Sequence, residues 1–301
     1  MRIVVTGVTG QVGSAIASRF AEFGTVVAAD RGALDLAMPT ALPSQLEALA
    51  PDVIINPAAY TAVDRAEDER DLALTVNGEA PGVLARWAAA RRVPLVHFST
   101  DYVFDGEGER PWREDDRTSP LSSYGSSKLA GEQAIRQAGG AHLIVRSSWV
   151  YAAQGANFMR TIARLAGERP ELRIVADQVG APTTAAVIAD SLAAIFRRRV
   201  DDLAAGFVAA NGLVHVAAAD YVSWHGFAEA IIDGLKQRGI PLKVERVLPI
   251  RTEDYPTKAT RPRNSRLDIG RLREVFDVRP PGWKAALQPE LDRLVEVTAS
   301  G

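Results

Sequence analysis

The stretch that most constrains this chain is its first. An apolar run, Ile3 to Val5, leads into Gly7, Gly10 and Gly13, spaced G-x-x-G-x-x-G, and apolar residues then recur at Val12, Ile16 and Phe20. The run reads as a buried strand and the recurrence as a helix. A strand, a glycine turn and a helix start together make an anion site. Backbone N–H groups and the positive helix end meet at one place, and the missing side chains let a pyrophosphate approach the backbone. The competing reading is a tight turn that only packs a helix on a strand.

The next segment separates the two. Gly24 to Asp30 reads as a second strand ending in a carboxylate. A dinucleotide site calls for an acid about 20 residues past its glycines, to accept hydrogen bonds from the adenosine ribose. Asp30 stands close to that distance. Arg31 follows directly, and a guanidinium there can pair with a 2′-phosphate. Asp30 therefore favours NADH, while Arg31 keeps NADPH open. Gln11 and Val12 within the turn, and Asp35 and Leu36 after the second strand, complete this side of the candidate cofactor site.

The chain has 301 residues, 47% of them hydrophobic, enough for one or two domains with a large core. A net charge of −2 gives no basic field for nucleic acid or a membrane surface. Cysteine is absent, which removes disulfides, thiolate metal ligands and thiol nucleophiles together. No apolar run approaches the roughly 20 residues of a membrane span. The N-terminus enters a strand at once, so no signal peptide is expected and the expected compartment is the cytoplasm.

Further along, Ala41 to Ala50 predicts a helix and Pro51 to Asn56 a strand. Ala58, Ala59 and Tyr60 follow that strand, and small side chains at a strand end admit a flat ligand. Asp64 to Arg92 reads as helical, with Asn77 its one conspicuous polar residue. Val93 to Thr100 is a strand in which His97 reads as a satisfied core histidine. Asp101 to Ser123 is loop-like, and Tyr124 and Lys128 then share one face of a helix. Ala141 to Val145 is another strand. Later segments predict a helix over 158–166, a strand over 172–175, a helix over 184–199 and a strand over 206–217. Two more helices cover 221–238 and 287–297. Alternating strands and helices imply an α/β fold, a doubly wound parallel Rossmann sheet with a smaller, mixed C-terminal substrate domain. The expected division is a dinucleotide-binding domain over 1–148, rejoined by parts of 172–220, and a substrate domain from 149–171 and 221–301.

A tyrosine one turn before a lysine, with a hydroxyl at a preceding strand end, suits ketone reduction. A donor must reach the carbonyl oxygen, its pKa must be lowered, and a second donor must hold the oxygen as charge builds. Tyrosine alone titrates near about 10, and a neighbouring ammonium favours the phenolate. Tyr124, Lys128 and Thr100 are the candidates.

With the glycine turn, the Tyr124-x-x-x-Lys128 pair resembles the extended short-chain dehydrogenase/reductase family. Six segments narrow the likeness to its nucleotide-sugar 4-ketoreductases: 56–64, 99–106, 124–132, 146–151, 177–183 and 261–268. The resemblance implies NADPH- or NADH-dependent reduction at C4 of dTDP-4-dehydro-L-rhamnose, giving dTDP-L-rhamnose. It implies that Tyr124 donates the proton, that Lys128 lowers its pKa and holds the nicotinamide ribose, and that Thr100 bonds the ketone. Tyr102, Trp149, Asn157, Gln178 and Arg261 would face the substrate. Some members carry an acid two residues past the third glycine, used in a metal-bridged dimer. Ala15 stands there, so no metal is expected, and the chain is expected to be a monomer or homodimer. A 4,6-dehydratase would follow Thr100 with Asp-Glu, whereas Asp101-Tyr102 follows. An epimerase of the same fold, and a non-catalytic regulatory subunit, remain the other readings.

Overall fold

The computed structural model describes residues 1–199 and 202–299. Six parallel strands form the central sheet: β1 (Arg2–Thr6), β2 (Thr25–Ala29), β3 (Val53–Asn56), β4 (Leu95–Thr100), β5 (His142–Ser147) and β10 (Leu213–His215). Their order is β10-β5-β4-β3-β1-β2, and every neighbouring pair runs parallel. The winding reverses between β1 and β3. That is where an open sheet of this kind leaves a crevice at its carboxyl ends.

Helices cover both faces, as a parallel sheet requires. On one side α1 (Gln11–Arg19), α7 (Ala185–Arg199) and α8 (Leu203–Ala209) pack over Ile3, Val5, Ile55, Val96 and Val145. On the other, α2 (Leu42–Leu49), α4 (Ala80–Arg91) and α5 (Ser123–Ala138) pack over Val4, Ile54, Leu95 and Ile144. Odd and even residues of each strand thus feed opposite cores, the period-two rule of a strand. Ser122 starts α5 by accepting a hydrogen bond from the Gly125 amide at 3.1 Å, and Gly139, at φ +74°, ends it.

A second core lies among α6 (Phe158–Glu168), α9 (Trp224–Gln237) and α11 (Trp283–Ala299), with Met159, Ile162, Phe227, Ile231, Leu287 and Leu291 at its centre. Beside it β7 (Glu171–Val175) pairs in parallel with β12 (Arg246–Ile250). Short strands complete this side. β6 (Val150–Tyr151) pairs β9 (Thr183–Thr184), and β8 (Val179–Gly180) lies between β11 (Val222–Ser223) and β13 (Asn264–Ser265). The α/β class and the doubly wound parallel sheet expected from the sequence are both present, with mixed sheets beside them.

Three local expectations change. The 206–217 segment is not one strand. Asp202 caps α8 through the Ala205 amide at 2.8 Å, Leu203 and Phe207 turn into the sheet core, and only 213–215 is extended. The 64–92 helix is present from Arg70 to Arg91 as α3 (Arg70–Leu74), a π-helical turn over Thr75–Glu79 and α4, and only its start differs, with a single 3-10 turn over Arg65–Glu67 before it. Asn77 sits in the π-helical turn, and its side chain bonds elsewhere in the chain. The late segment 270–276, expected to lie away from the sheet, forms α10 (Gly270–Phe276), and its Leu272 and Phe276 enter the sheet core. Strand β7 by contrast joins β12 and not the central sheet.

Candidate functional site

The glycine turn has a specific steric reason for each outer glycine. Gly7 has φ +57°, and a side chain on it would meet the Ala58 backbone at 2.9 Å. A side chain on Gly13 would lie 2.1 Å from the Gly7 carbonyl oxygen. So Gly7 brings β1 against the Ala58 end of β3, and Gly13 seats α1 on the turn. Gly10 begins α1 with no side-chain cap, and no acid stands in the first turn. The helix's free amides and positive end are therefore open to an anion. Gln11 is half-buried there, and its side-chain oxygen accepts from Asn157 Nδ2 at 2.9 Å. Val12 packs on the sheet core.

Asp30 is exposed just past β2, and one of its oxygens accepts the Gly32 and Ala33 amides at 2.9 and 3.0 Å. Arg31 beside it is exposed. Asp35 closes a turn onto the Ala37 amide at 2.9 Å, and Leu36 is buried in the core below. Ala58, Ala59 and Tyr60 are half-buried past β3. Asn77 holds this segment. It accepts from the Tyr60 amide at 2.8 Å and donates to the Tyr60 carbonyl and to Ser127 Oγ, each at 3.0 Å. The Tyr60 hydroxyl donates to Glu69 at 2.6 Å. The uncapped helix end, the glycine turn and the Asp30–Arg31 pair fit the phosphates and ribose of a nicotinamide dinucleotide.

Thr100 and Tyr124 meet at the next strand end. Thr100 lies beside the phenol, near enough to act on its pKa, and Thr100 Oγ1 contacts Asp101 at 3.1 Å and accepts the Tyr102 amide at 3.2 Å. Close approach permits this. A side chain on Gly125 would lie 2.2 Å from the Tyr102 carbonyl oxygen. Tyr102 meets Tyr124 edge to face, ring centres 5.5 Å apart.

Lys128 is fully buried, one turn along α5. Its Nζ donates to the Phe98 carbonyl at 2.6 Å and lies 3.3 Å from His97 Nε2. Burial pulls its pKa down from 10.5 to about 8, with Glu132 opposing that fall. Burial and the Asp101 carboxylate push the Tyr124 phenol up to about 12, and only Thr100 pulls the other way. Lys128 is not among the influences on the phenol, and its Nζ is turned to the Phe98 carbonyl and His97. At neutral pH Tyr124 keeps its proton and is a donor. Asp101 is buried, and loss of water pushes its carboxyl up from 3.8 to about 6, with neighbouring Ser265 and the Thr100 hydroxyl opposing that rise.

The residues expected around a substrate divide. Trp149, in the left-handed region at φ +49°, stacks on Trp224 with ring centres 3.5 Å apart. Asn157 caps α6 through the Arg160 amide at 3.1 Å and reaches Gln11, so it belongs beside the glycine turn. Gln178 is buried and donates to Thr252 Oγ1 at 3.2 Å. Arg261 is held by both oxygens of Asp64, at 3.0 and 2.7 Å. That pair ties the late chain to the end of β3's loop. In the sequence Asp101 serves only to set the chain apart from a dehydratase, and His97 reads as a satisfied core histidine. The one signal available was a polar residue on either side of a strand end inside an apolar run.

Among the described residues no helix is long and apolar enough to cross a membrane. A family model described as the RmlD substrate binding domain matches residues 1–296. The chain is 47% identical, over 95% of its length and 97% of the relative's, to a dTDP-4-dehydrorhamnose reductase of Burkholderia thailandensis. A crystal structure of a dTDP-4-dehydrorhamnose reductase from Clostridium acetobutylicum superposes with a TM-score of 0.87 at 34% identity, covering 98% of this chain and 100% of that one. The enzyme of that name from Bacillus anthracis, solved in complex with NADP, gives 0.85 at 32% identity, covering 97% and 98%.

Proposed function

This chain belongs to the family of the RmlD substrate binding domain, and we propose that it reduces the C4 ketone of dTDP-4-dehydro-L-rhamnose to dTDP-L-rhamnose with NADPH or NADH. The observation that carries the reading is one cluster. Tyr124, beside Thr100, and Lys128, bonded to the Phe98 carbonyl at 2.6 Å, stand at the carboxyl edge of the sheet that also bears the glycine turn. The near-full-length match to dTDP-4-dehydrorhamnose reductases supports it.

Gly7, Gly10, Gln11, Val12 and Gly13 would hold the pyrophosphate, and Asp30 and Arg31 the adenosine ribose. Asp35, Leu36, Ala58, Ala59 and Tyr60 would wall the crevice between them. The bound reduced nicotinamide supplies hydride. Tyr124, kept protonated by its burial, gives its proton to the oxygen on which charge accumulates. Thr100 donates a hydrogen bond to that oxygen and holds the ketone in place. Lys128 carries the positive charge of the site and binds the nicotinamide ribose. Tyr102, Trp149, Gln178 and Arg261 would bound the sugar nucleotide, with Asn157 at the side nearest the turn. The reading carries with it a nucleotide-sugar substrate, a cytoplasmic setting and a chain acting as a monomer or homodimer.

The test is stoichiometric. Purified protein is given dTDP-4-dehydro-L-rhamnose with NADPH and, separately, with NADH, and cofactor oxidation is compared with sugar formed. One nicotinamide oxidised per dTDP-L-rhamnose is the expected result. Interconversion of sugars without cofactor consumption would mean an epimerase. Cofactor binding with no oxidation would leave only a regulatory subunit.

A further inference from the structure

Beneath the glycine turn runs a continuous line of buried polar side chains that the reduction does not itself call for. The Ala58 amide donates to Thr6 Oγ1 at 3.2 Å, and Thr6 Oγ1 lies 2.6 Å from the Asn56 side-chain oxygen. The Asn56 amide nitrogen lies 3.0 Å from His97 Nδ1, and His97 Nε2 lies 3.3 Å from Lys128 Nζ. Asn56 and His97 have no exposed surface, and Thr6 and Lys128 almost none. The line crosses three neighbouring strands, β1, β3 and β4, and ends on α5.

Its chemistry is set by proton counting. Burial and the Lys128 charge hold the His97 ring neutral, so it carries a single N–H. Beside an ammonium, Nε2 must be the bare, accepting nitrogen. Nδ1 then carries the hydrogen and needs an acceptor, which the Asn56 side-chain oxygen supplies once the amide is turned. Beside a neutral amine the order reverses. Asn56 donates to Nδ1, and Nε2–H donates to Lys128. Lys128 thus keeps a bonded partner in either charge state, and the cost of turning the amide falls on Thr6, whose hydroxyl gives up the Asn56 oxygen that it donates to at 2.6 Å.

We propose that His97 is a positioning residue for Lys128: its tautomer, backed by Asn56, keeps the lysine bonded in either charge state and so sets the pH at which the site loses its cation. This rests on the reading of Lys128 as the cation beside Tyr124. Other charged or titratable groups face Lys128 as well. On α5 these are Tyr124 and Glu132, and from β5 Arg146 neutralises Glu132 through two bonds. The uncharged partner from β3 is Asn56. Among the described residues Glu132 is the carboxylate whose charge acts on Lys128.

Two measurements test this. The first is the 15N spectrum of histidine-labelled protein with NADP bound, recorded from about pH 6 to 10. The chain has 4 histidines, and the His97→Gln spectrum assigns the signal. We expect the Nδ1–H tautomer at the acid end and conversion to Nε2–H as Lys128 discharges. One unchanging tautomer, or Nε2–H at the acid end, overturns the proposal, and neither outcome depends on turnover. The second is the pH profile of kcat/KM. His97→Phe keeps the ring shape without the acceptor and should move the alkaline limb down by about 1–2 pH units, the effect of losing a hydrogen bond to a charged group. His97→Gln restores an acceptor and should return the limb to its place, with KM for the sugar unchanged. Equal profiles in all three proteins, with altered thermal stability alone, would show His97 to be core packing. If His97→Phe does not fold, the wild-type tautomer still decides. Loss of turnover in every protein with the tautomer change intact would count against the reductase reading and leave the His97–Lys128 coupling standing.

Discussion

Arg146, near the end of β5, grips both carboxylate oxygens of Glu132 on α5, at 2.8 and 2.6 Å, and both side chains are buried. Glu132 lies one turn beyond Lys128 and two beyond Tyr124. The pair therefore pins the helix that carries the proton donor to the strand beside the one that carries Thr100. Arg146 also sits 5.0 Å above the Phe104 ring. Removing one partner of a buried pair leaves the other charge uncompensated, at a cost of about 3–5 kcal/mol. Arg146→Met should lose that much in urea denaturation. Arg146→Met combined with Glu132→Leu should recover most of it. Equal losses in the single and double variants would show that packing, and not the charge, holds α5.

Tyr124→Phe removes only the hydroxyl that donates the proton. NADPH affinity by fluorescence titration should stay within about twofold, while turnover falls by about 10²-fold or more, as expected for loss of a general acid. Near-normal turnover would take Tyr124 out of the reaction.

Lys128 makes a prediction about stability whose sign follows from its shift. Its folded pKa is about 8 against an ordinary 10.5, so the unfolded chain binds that proton more tightly than the folded one. The stability tied to this group is present above 10.5 and is lost as the pH falls through 8. Lys128→Met should therefore be more stable than the parent at pH 7, by at most about 3 kcal/mol before the lost bond to Phe98 is deducted. The gain should vanish by about pH 10.5, and turnover should be abolished at every pH. A variant less stable than the parent at pH 7 would mean that the bond to Phe98 outweighs the cost of burying the charge.

The glycines of the first turn are not equivalent. A methyl group on Gly13 would sit 2.1 Å from the Gly7 carbonyl oxygen, whereas one on Gly10 would sit 3.3 Å from that same atom. Gly13→Ala must shift backbone, and should lower the melting temperature and weaken NADPH binding by about tenfold or more, an energy of about 1.4 kcal/mol. Gly10→Ala should cost markedly less on both counts. The reverse ranking would show that ligand approach, and not the seating of α1, governs the turn.

Arg31 is exposed next to the Asp30 carboxylate at the end of β2. If it pairs with the 2′-phosphate, Arg31→Ala should weaken NADPH by about tenfold, the scale of one charge-assisted hydrogen bond, and leave NADH unchanged. A parallel loss for both cofactors would place Arg31 elsewhere than at the phosphate.

What the sequence determined by itself is whatever depends on spacing along the chain. Gly7, Gly10 and Gly13 after an apolar run specify a strand, turn and helix start. Tyr124 and Lys128 one turn apart specify a shared helix face, and alternating apolar runs specify the parallel sheet. What only tertiary structure decided is the set of partners far apart in sequence. His97 reads as plain core until β3 brings Asn56 to one nitrogen and α5 brings Lys128 to the other. Arg261 reads as a free cation for a diphosphate until the late chain folds back onto Asp64. The 206–217 segment has strand-like composition, but α8 forms because burying Leu203 and Phe207 on the sheet outweighs local preference. Propensity and period act over a few residues. The charge on Lys128, and the pKa of the phenol beside it, depend on how much water the completed core shuts out, and that is settled only once every layer has closed around them.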